Sequence, residues 1–177
     1  RHFDFDPVID VARRWASTRP ETTFVLCGDG PDLSSVVDAC SGLKNVVLPG
    51  WVDSGPLAAL LRAAGCGLAP YEPSPSFLAS IPNKVVEYLA FGLPVVTSLG
   101  EGAVGELSRV NGCGVCYRPG DVDDLDIQLG LLMDDAVVRS DASEAARRTF
   151  LDQFEAAKVY GELADRLVDI VEVNLAT

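Results

Sequence analysis

Histidine and methionine are almost missing from this 177-residue chain, which has one of each, His2 and Met133. A lone histidine excludes centres that need paired imidazoles, such as a histidine-rich zinc site. Basic residues are scarce as well: Lys and Arg total 14 against 26 Asp and Glu, a formal charge of −12. That deficit excludes a broad phosphate-tracking surface, so nucleic acid is not expected as a partner. Long apolar runs are also lacking. None approaches the ~18 residues of a membrane-spanning helix, and the first residues do not read as a secretory signal. A soluble, cytoplasmic protein is the expectation. What is plentiful is core material: 48% of residues are apolar and mean hydropathy is +0.21. That suffices for a single domain over residues 1–177.

The five cysteines, Cys27, Cys40, Cys66, Cys113 and Cys116, are an odd number in a chain large enough to fold without disulfides. Cys113 and Cys116 form one Cys-x-x-Cys. A redox role would need that motif at a helix start, whereas residues 112–117 read as a strand. Zinc would need four ligands. Cys27 and Cys66 fall in apolar runs, where a thiol acts as a small hydrophobe. Reduced, metal-free cysteines are expected.

Short apolar runs alternate with amphipathic stretches along the chain. Strands are predicted at Phe24–Cys27, Val46–Leu48, Cys66–Ala69, Val95–Thr97 and Val115–Tyr117. Helices are predicted at Val8–Trp15, Leu33–Cys40, Leu57–Ala64 and Asn83–Phe91, the last closed by Gly92. Three more follow, near Asp123–Met133, Val137–Phe150 and Ala156–Val173. Strands and helices in this alternation make βαβ units and a doubly wound, Rossmann-like parallel α/β sheet. Ligands of such sheets bind beyond the carboxyl ends of the strands. Four segments therefore become candidates: residues 28–31, 49–52, 70–84 and 98–105.

Two motifs lie in those segments. Gly28-Asp29-Gly30-Pro31 sits between a strand and a helix, as a phosphate-binding turn does. It is not a dinucleotide fingerprint, because the sixth position is Leu33, and a plain connecting turn fits equally well. The run from Ser80 to Val96 is more specific. Pro82 suits a first helical turn and Ser80 suits a cap. Val85, Val86, Leu89 and Ala90 form an apolar stripe, while Asn83, Lys84 and Glu87 share another face. Free amides at the helix start offer a phosphate site, and Glu87 one turn on could accept two sugar hydroxyls. A solvated face carrying a Lys84–Glu87 pair is compatible with the same spacing.

Taken together, residues 26–31, Asn45 to Val52, Leu68 to Tyr71, and Pro82-Asn83-Lys84-Val85-Val86-Glu87-Tyr88-Leu89-Ala90-Phe91-Gly92-Leu93-Pro94-Val95-Val96 resemble consecutive motifs of group-1 retaining glycosyltransferases of the GT-B fold. Cys113-Gly114 and Pro119-Gly120-Asp121 continue the pattern. The resemblance runs from about Phe3 to Val171 and is to the C-terminal, donor-binding half, with the acceptor-binding N-terminal half expected outside these residues. It implies transfer of a hexosyl unit from a nucleoside-diphosphate sugar to an acceptor hydroxyl with retained anomeric configuration, in polysaccharide or glycolipid synthesis. It also implies no cofactor and no metal. Glu87 matches the glutamate that holds the ribose. Ser80, Ile81, Pro82, Asn83 and Lys84 match the loop and helix start at the diphosphate. Gly50, Trp51 and Val52 match the turn beside the base, and Gly28 and Gly30 complete the donor-binding set. The full-length protein would work in the cytoplasm, with peripheral association at the inner face of the membrane as an option.

The chain departs from that pattern at three places. Ala79 stands where the family's first glutamate contacts the transferred sugar. The family's Gly-Arg and Lys, which pair with the diphosphate, would fall before Phe3. So would a strand normally central to the sheet, whose absence would expose two edges. Two rival readings follow: a non-catalytic nucleotide-sugar-binding domain, and a GT-B nucleotide-sugar epimerase, for which one histidine is a poor fit. The acidic group Asp121, Asp123, Asp124 and Asp126 lacks the glycine and distal glutamate of a calcium loop and is read as helix capping. Phe150, Phe154, Tyr160, Leu163, Leu167 and Ile170 are read as core, with one strip of the last helix exposed if the other half is absent.

Overall fold

A computed structural model describes residues 2–175, with side chains to Val171. The elements follow in the order α1 (Asp6–Thr18), β1 (Phe24–Cys27), α2 (Leu33–Ala39), β2 (Val46–Gly50), α3 (Ser54–Ala63), β3 (Gly67–Ala69) and α4 (Pro75–Leu78). Next come α5 (Asn83–Ala90), β4 (Val95–Thr97), α6 (Ala103–Asn111), β5 (Gly114–Cys116), α7 (Val122–Asp134), α8 (Ala136–Gln153) and α9 (Ala156–Leu175). All strand pairs are parallel. Phe24 lies opposite Val46 and Val25 opposite Val47, and the register shifts before Cys27 meets Gly50. In β3, β4 and β5, Leu68, Val96 and Val115 are aligned.

The sheet is wound on both faces. On one, α1 and α7 bring Val8, Val11, Ala12, Trp15, Leu125, Leu129 and Leu132 against Phe24, Val96 and Tyr117. On the other, Val85 and Leu89 of α5, Val104 and Leu107 of α6, and Ala145 and Ala146 of α8 pack on Ala69, Val95 and Leu99. Val95 and Val96 are adjacent and fully buried on opposite faces, which is why parallel strands read as unbroken apolar runs. Helix α1 shows how sequence sets this packing. Pro7 and Asp6 suit its first turn. Val8, Val11, Ala12 and Trp15 recur at helical spacing, giving one buried stripe. The Trp15 indole N–H donates to Asp126 Oδ1 at 2.6 Å, so a fully buried ring keeps its polar atom satisfied.

Several expectations are corrected. The five strands form two hydrogen-bonded sheets, β1–β2 and β3–β4–β5, rather than one. Among the described residues, β1 and β3 are each paired on a single edge, and the shared core on α1 and α7 joins the two sheets. Helix α6 was not expected, because Gly105 and the polar Ser108 obscure its stripe; both are nevertheless buried with Val104 and Leu107. Helix α4 was not expected either. It starts on Pro75, with Ser74 Oγ accepting from the Phe77 amide. Phe150 and Phe154 do pack on the second core. Tyr160, Leu163, Leu167 and Ile170 do not: they are half or more exposed, because α9 meets little except α8. No helix among the described residues is long and apolar enough to cross a membrane.

The acidic cluster does cap and pair. Asp121 accepts from the Asp124 amide at 2.9 Å, and Asp124 accepts from the Arg118 amide at 2.7 Å. The Arg118 amide and guanidinium hold the Asp124 carboxyl below its usual range. Asp123 and Asp126 face Arg14 of α1.

Candidate functional site

The candidate residues gather where three strand ends meet the start of α5. The Gly28 amide donates to the Gly50 carbonyl at 2.8 Å, so the turns after β1 and β2 touch. Gly50 has φ +75°, a left-handed conformation that favours glycine. It turns the chain outward and leaves Trp51 70% exposed, with the indole N–H on Asp53 Oδ1 at 3.3 Å. Gly28, Gly30 and Gly50 have open space where a side chain would stand, so a ligand can approach their backbone. Val52 is partly buried behind them.

Cys27 is exposed at the end of β1 rather than buried in it. Partial burial still raises its thiol, and the nearby Lys84 ammonium pulls the other way. Lys84 of α5 thus lies near the end of β1.

Helix α5 differs from expectation at its start. Pro82, not Ser80, is the N-cap. Ser80 Oγ donates to the Ser76 carbonyl at 2.8 Å, because α4 intervenes and takes the serine for its own end. The Pro82 carbonyl accepts from the Val85 amide at 2.9 Å and, more distantly, from Val86. Among the described residues this leaves the Asn83 and Lys84 amides without an acceptor, pointing out of a positive helix end. Val85 and Leu89 form the buried stripe, Val86 and Ala90 are only partly covered, and Asn83 and Glu87 are exposed.

Lys84 is not a solvated partner of Glu87. Its Nζ lies 4.3 Å from the centre of the Phe3 ring. Burial lowers its pKa, with the charges of Glu87 and Cys27 opposing. Behind it, Tyr88 lays its ring over Gly67 and donates its hydroxyl to the Leu68 carbonyl at 3.1 Å. Burial pushes the Tyr88 phenol well above its usual range.

The loop after β3 closes the site on its other side. Phe3 makes an antiparallel bridge with Tyr71, and Tyr71 packs against Phe77 of α4 at 4.6 Å between ring centres. Ala79 is the C-cap of α4. The sequence reading placed Tyr71 and Phe77 inside the candidate segment 70–84 without giving either a role, and it left Phe3 outside the site. The signal was a Phe-x-Phe beside the first helix together with aromatics in a proline-rich loop.

Cys113 is buried, with its thiol on the Leu107 carbonyl at 3.7 Å, and Cys116 is half-buried; all five cysteines are free thiols. No group of three or more His, Cys, Asp or Glu among the described residues is arranged to hold a metal ion.

The family model for group 1 glycosyl transferases matches residues 5–135. The chain is a group 1 glycosyltransferase domain. Solved structures agree on the fold. HepE of Anabaena, in complex with UDP-glucose, is 21% identical with a TM-score of 0.73, covering 92% of this chain and 44% of that one. Sucrose-phosphate synthase from Thermosynechococcus elongatus is 17% identical, with TM-score 0.74, and covers 97% and 44%. TarM of S. aureus, in a mutant form with UDP, Fondaparinux and alpha-GlcNAc-glycerol, is 15% identical, with TM-score 0.74, and covers 93% and 33%. These neighbours are GT-B glycosyltransferases, and this group 1 domain spans less than half the length of each. Curated proteins gave no match by sequence.

Proposed function

We propose that this domain binds the nucleoside-diphosphate sugar in a retaining, metal-independent hexosyltransferase that builds a polysaccharide or glycolipid. The observation that carries the reading is the start of α5. Two amides that find no acceptor among the described residues converge there with one lysine, and Glu87 stands one turn further on.

Each residue then has a physical task. The Asn83 and Lys84 amides, at a positive helix end, meet the diphosphate oxygens. The charge growing on the departing diphosphate is stabilised by groups already in place, with no metal required. Glu87 accepts hydrogen bonds from the two ribose hydroxyls. Gly28, Gly30 and Gly50 let the nucleotide approach the backbone, and Trp51 and Val52 border the base. Ser80 and Ile81, between α4 and α5, line the path toward the sugar, where Ala79 supplies no carboxylate. The acceptor is met by residues outside this chain, in the half that the GT-B neighbours also contain. The whole protein is placed in the cytoplasm, at the inner membrane face if the acceptor is a lipid. UDP and UDP-glucose in the HepE structures support a nucleotide-sugar donor of this class.

Calorimetry tests the ribose assignment. The chain is titrated with UDP and with GDP, and whichever binds is compared with its 2′-deoxy form. Glu87→Ala is expected to weaken the ribonucleotide by about 1.5–3 kcal/mol, roughly 10- to 150-fold, and to erase the preference over the deoxy form. Wild-type affinity in Glu87→Ala refutes the assignment.

A further inference from the structure

We infer that Phe3 is a positioning residue: its ring face holds the Lys84 ammonium toward the donor diphosphate without neutralising it. This rests on the nucleotide site proposed above.

The four segments beyond the strand ends (28–31, 49–52, 70–84 and 98–105) contain one Lys or Arg between them, Lys84, and three acids, Asp29, Glu72 and Glu101. Within these segments Lys84 is the one cation that can meet a doubly charged diphosphate. Lysine is also an unfavourable residue at this position. The second residue of a helix sits in the positive field of the macrodipole, where acids are stabilising and cations are not. A local rule broken without gain to the fold points to a functional demand.

The choice of partner explains how the charge is kept available. Within the described residues no carboxylate lies in ion-pair range of Nζ; a phenyl face does, at 4.3 Å. A carboxylate would cancel the charge. The ring quadrupole attracts the ammonium and leaves its net charge intact. It also restrains a long, rotamer-rich side chain before ligand arrives, which lowers the ordering cost of binding.

Phe3 is itself well anchored. The Asp4 amide donates to the Pro70 carbonyl at 2.8 Å, and the Glu72 amide to the His2 carbonyl at 3.1 Å. The Phe3 ring packs 4.8 Å from Tyr71 and 5.6 Å from Phe5, centre to centre. Residues 2–4 are thus clipped to the loop after β3, and the clip places the ring under Lys84.

The test separates phosphate recognition from nucleoside recognition. Wild type, Lys84→Met, Phe3→Leu, Phe3→Tyr and the Phe3→Leu/Lys84→Met double variant are titrated with UDP and uridine, and with GDP and guanosine. Lys84→Met should weaken the diphosphate about tenfold or more and change the nucleoside less than twofold. Phe3→Leu should weaken only the diphosphate, by about three- to tenfold, and Phe3→Tyr should restore it. The double variant should be no worse than Lys84→Met alone. Should Phe3→Leu fold poorly, NMR of the wild type decides. The Lys84 ε-methylene protons should be shifted upfield by the ring and should move on adding UDP but not uridine. A Phe3→Leu variant that keeps wild-type UDP affinity, loses UDP and uridine equally, or adds its loss to that of Lys84→Met overturns the inference and leaves the nucleotide site standing. A wild type that binds neither diphosphate overturns both.

Discussion

Gly67→Ala is a small substitution for which the structure predicts a large effect. A methyl group built on Gly67 would lie 2.7 Å from Tyr88 Cδ1 and closer still to Cγ and Cδ2. Carbon atoms in contact prefer about 3.5–4.0 Å, so the Tyr88 ring must withdraw by roughly 1 Å or more. The ring cannot move freely, because its hydroxyl is bonded to Leu68 and its helix is anchored by Val85 and Leu89, both fully buried. Overpacking of this kind costs about 1–3 kcal/mol, and losing the tyrosine hydrogen bond adds about 1. Against this, alanine reduces the freedom of the unfolded chain, offsetting about 0.4–1 kcal/mol. The net loss is about 1–3 kcal/mol, and for a chain of this size each kcal/mol lowers Tm by about 2–4 °C. Thermal and urea unfolding measure it. Replacing the ring as well, in Gly67→Ala/Tyr88→Ala, opens the space the methyl needs, so the double variant should lose at least 1 kcal/mol less than the two single losses combined. A Gly67→Ala protein as stable as wild type, or two losses that simply add, would refute the reasoning.

Other outcomes can be checked with the same instruments. Trp15→Phe keeps most of a buried ring but removes the donor to Asp126, a hydrogen bond to a charged group worth about 1.5–3 kcal/mol. Unfolding should show that loss or more, and Asp126→Asn, which retains an accepting oxygen, should lose less. Alkaline pH should destabilise the fold. Burial pushes the Cys66 thiol from 9.0 up to about 12 and the Tyr117 phenol up to about 12. The folded chain therefore holds protons that the unfolded chain has released, and the stability present below about pH 9 is lost as pH rises toward 12. Lys84, with its lowered pKa, works the other way, one group against several. Tm measured from pH 8 to 10.5 should fall, with a shallower slope in Cys66→Ala.

The strands were legible because each is a short, nearly unbroken apolar run, and β4 is buried on both faces. Val95 and Val96 needed no alternation to be recognised. Helix α1 was legible from its stripe and α5 from the stripe over Val85 and Leu89. Helix α6 was not, since its buried face includes a glycine and a serine, which score as loop residues until Val104 and Leu107 are seen beside them. The division into two sheets was also beyond the pattern, because periodicity identifies a strand without naming its neighbours. At the candidate site, spacing placed Asn83, Lys84 and Glu87 near one another. It did not show that Lys84 would turn to Phe3, some eighty residues away in the chain, rather than pair with Glu87. Ser80 was misassigned as a cap because the four-residue α4 has too little sequence to announce itself.

The division of the sheet also has an energetic meaning. Strand β4 is hydrogen-bonded on both edges and buried throughout, whereas β1 and β2 pair with each other, rest on α1 through Phe24, and are followed by helices that bury little: α2 has no buried residue and α3 only Leu61. Residues 24–63 are thus held by a few anchors, Phe24, Cys40, Asn45 and Leu61. They are expected to open first in amide exchange, with the β3–β5 unit setting the global stability. The glycine turns and Trp51 ride on the weaker unit, and Lys84 and Glu87 ride on the stronger. A nucleotide spanning both would act as a staple, adding RT ln(1 + [L]/Kd) to the closed state. Amide exchange in the first unit would then slow as the site fills.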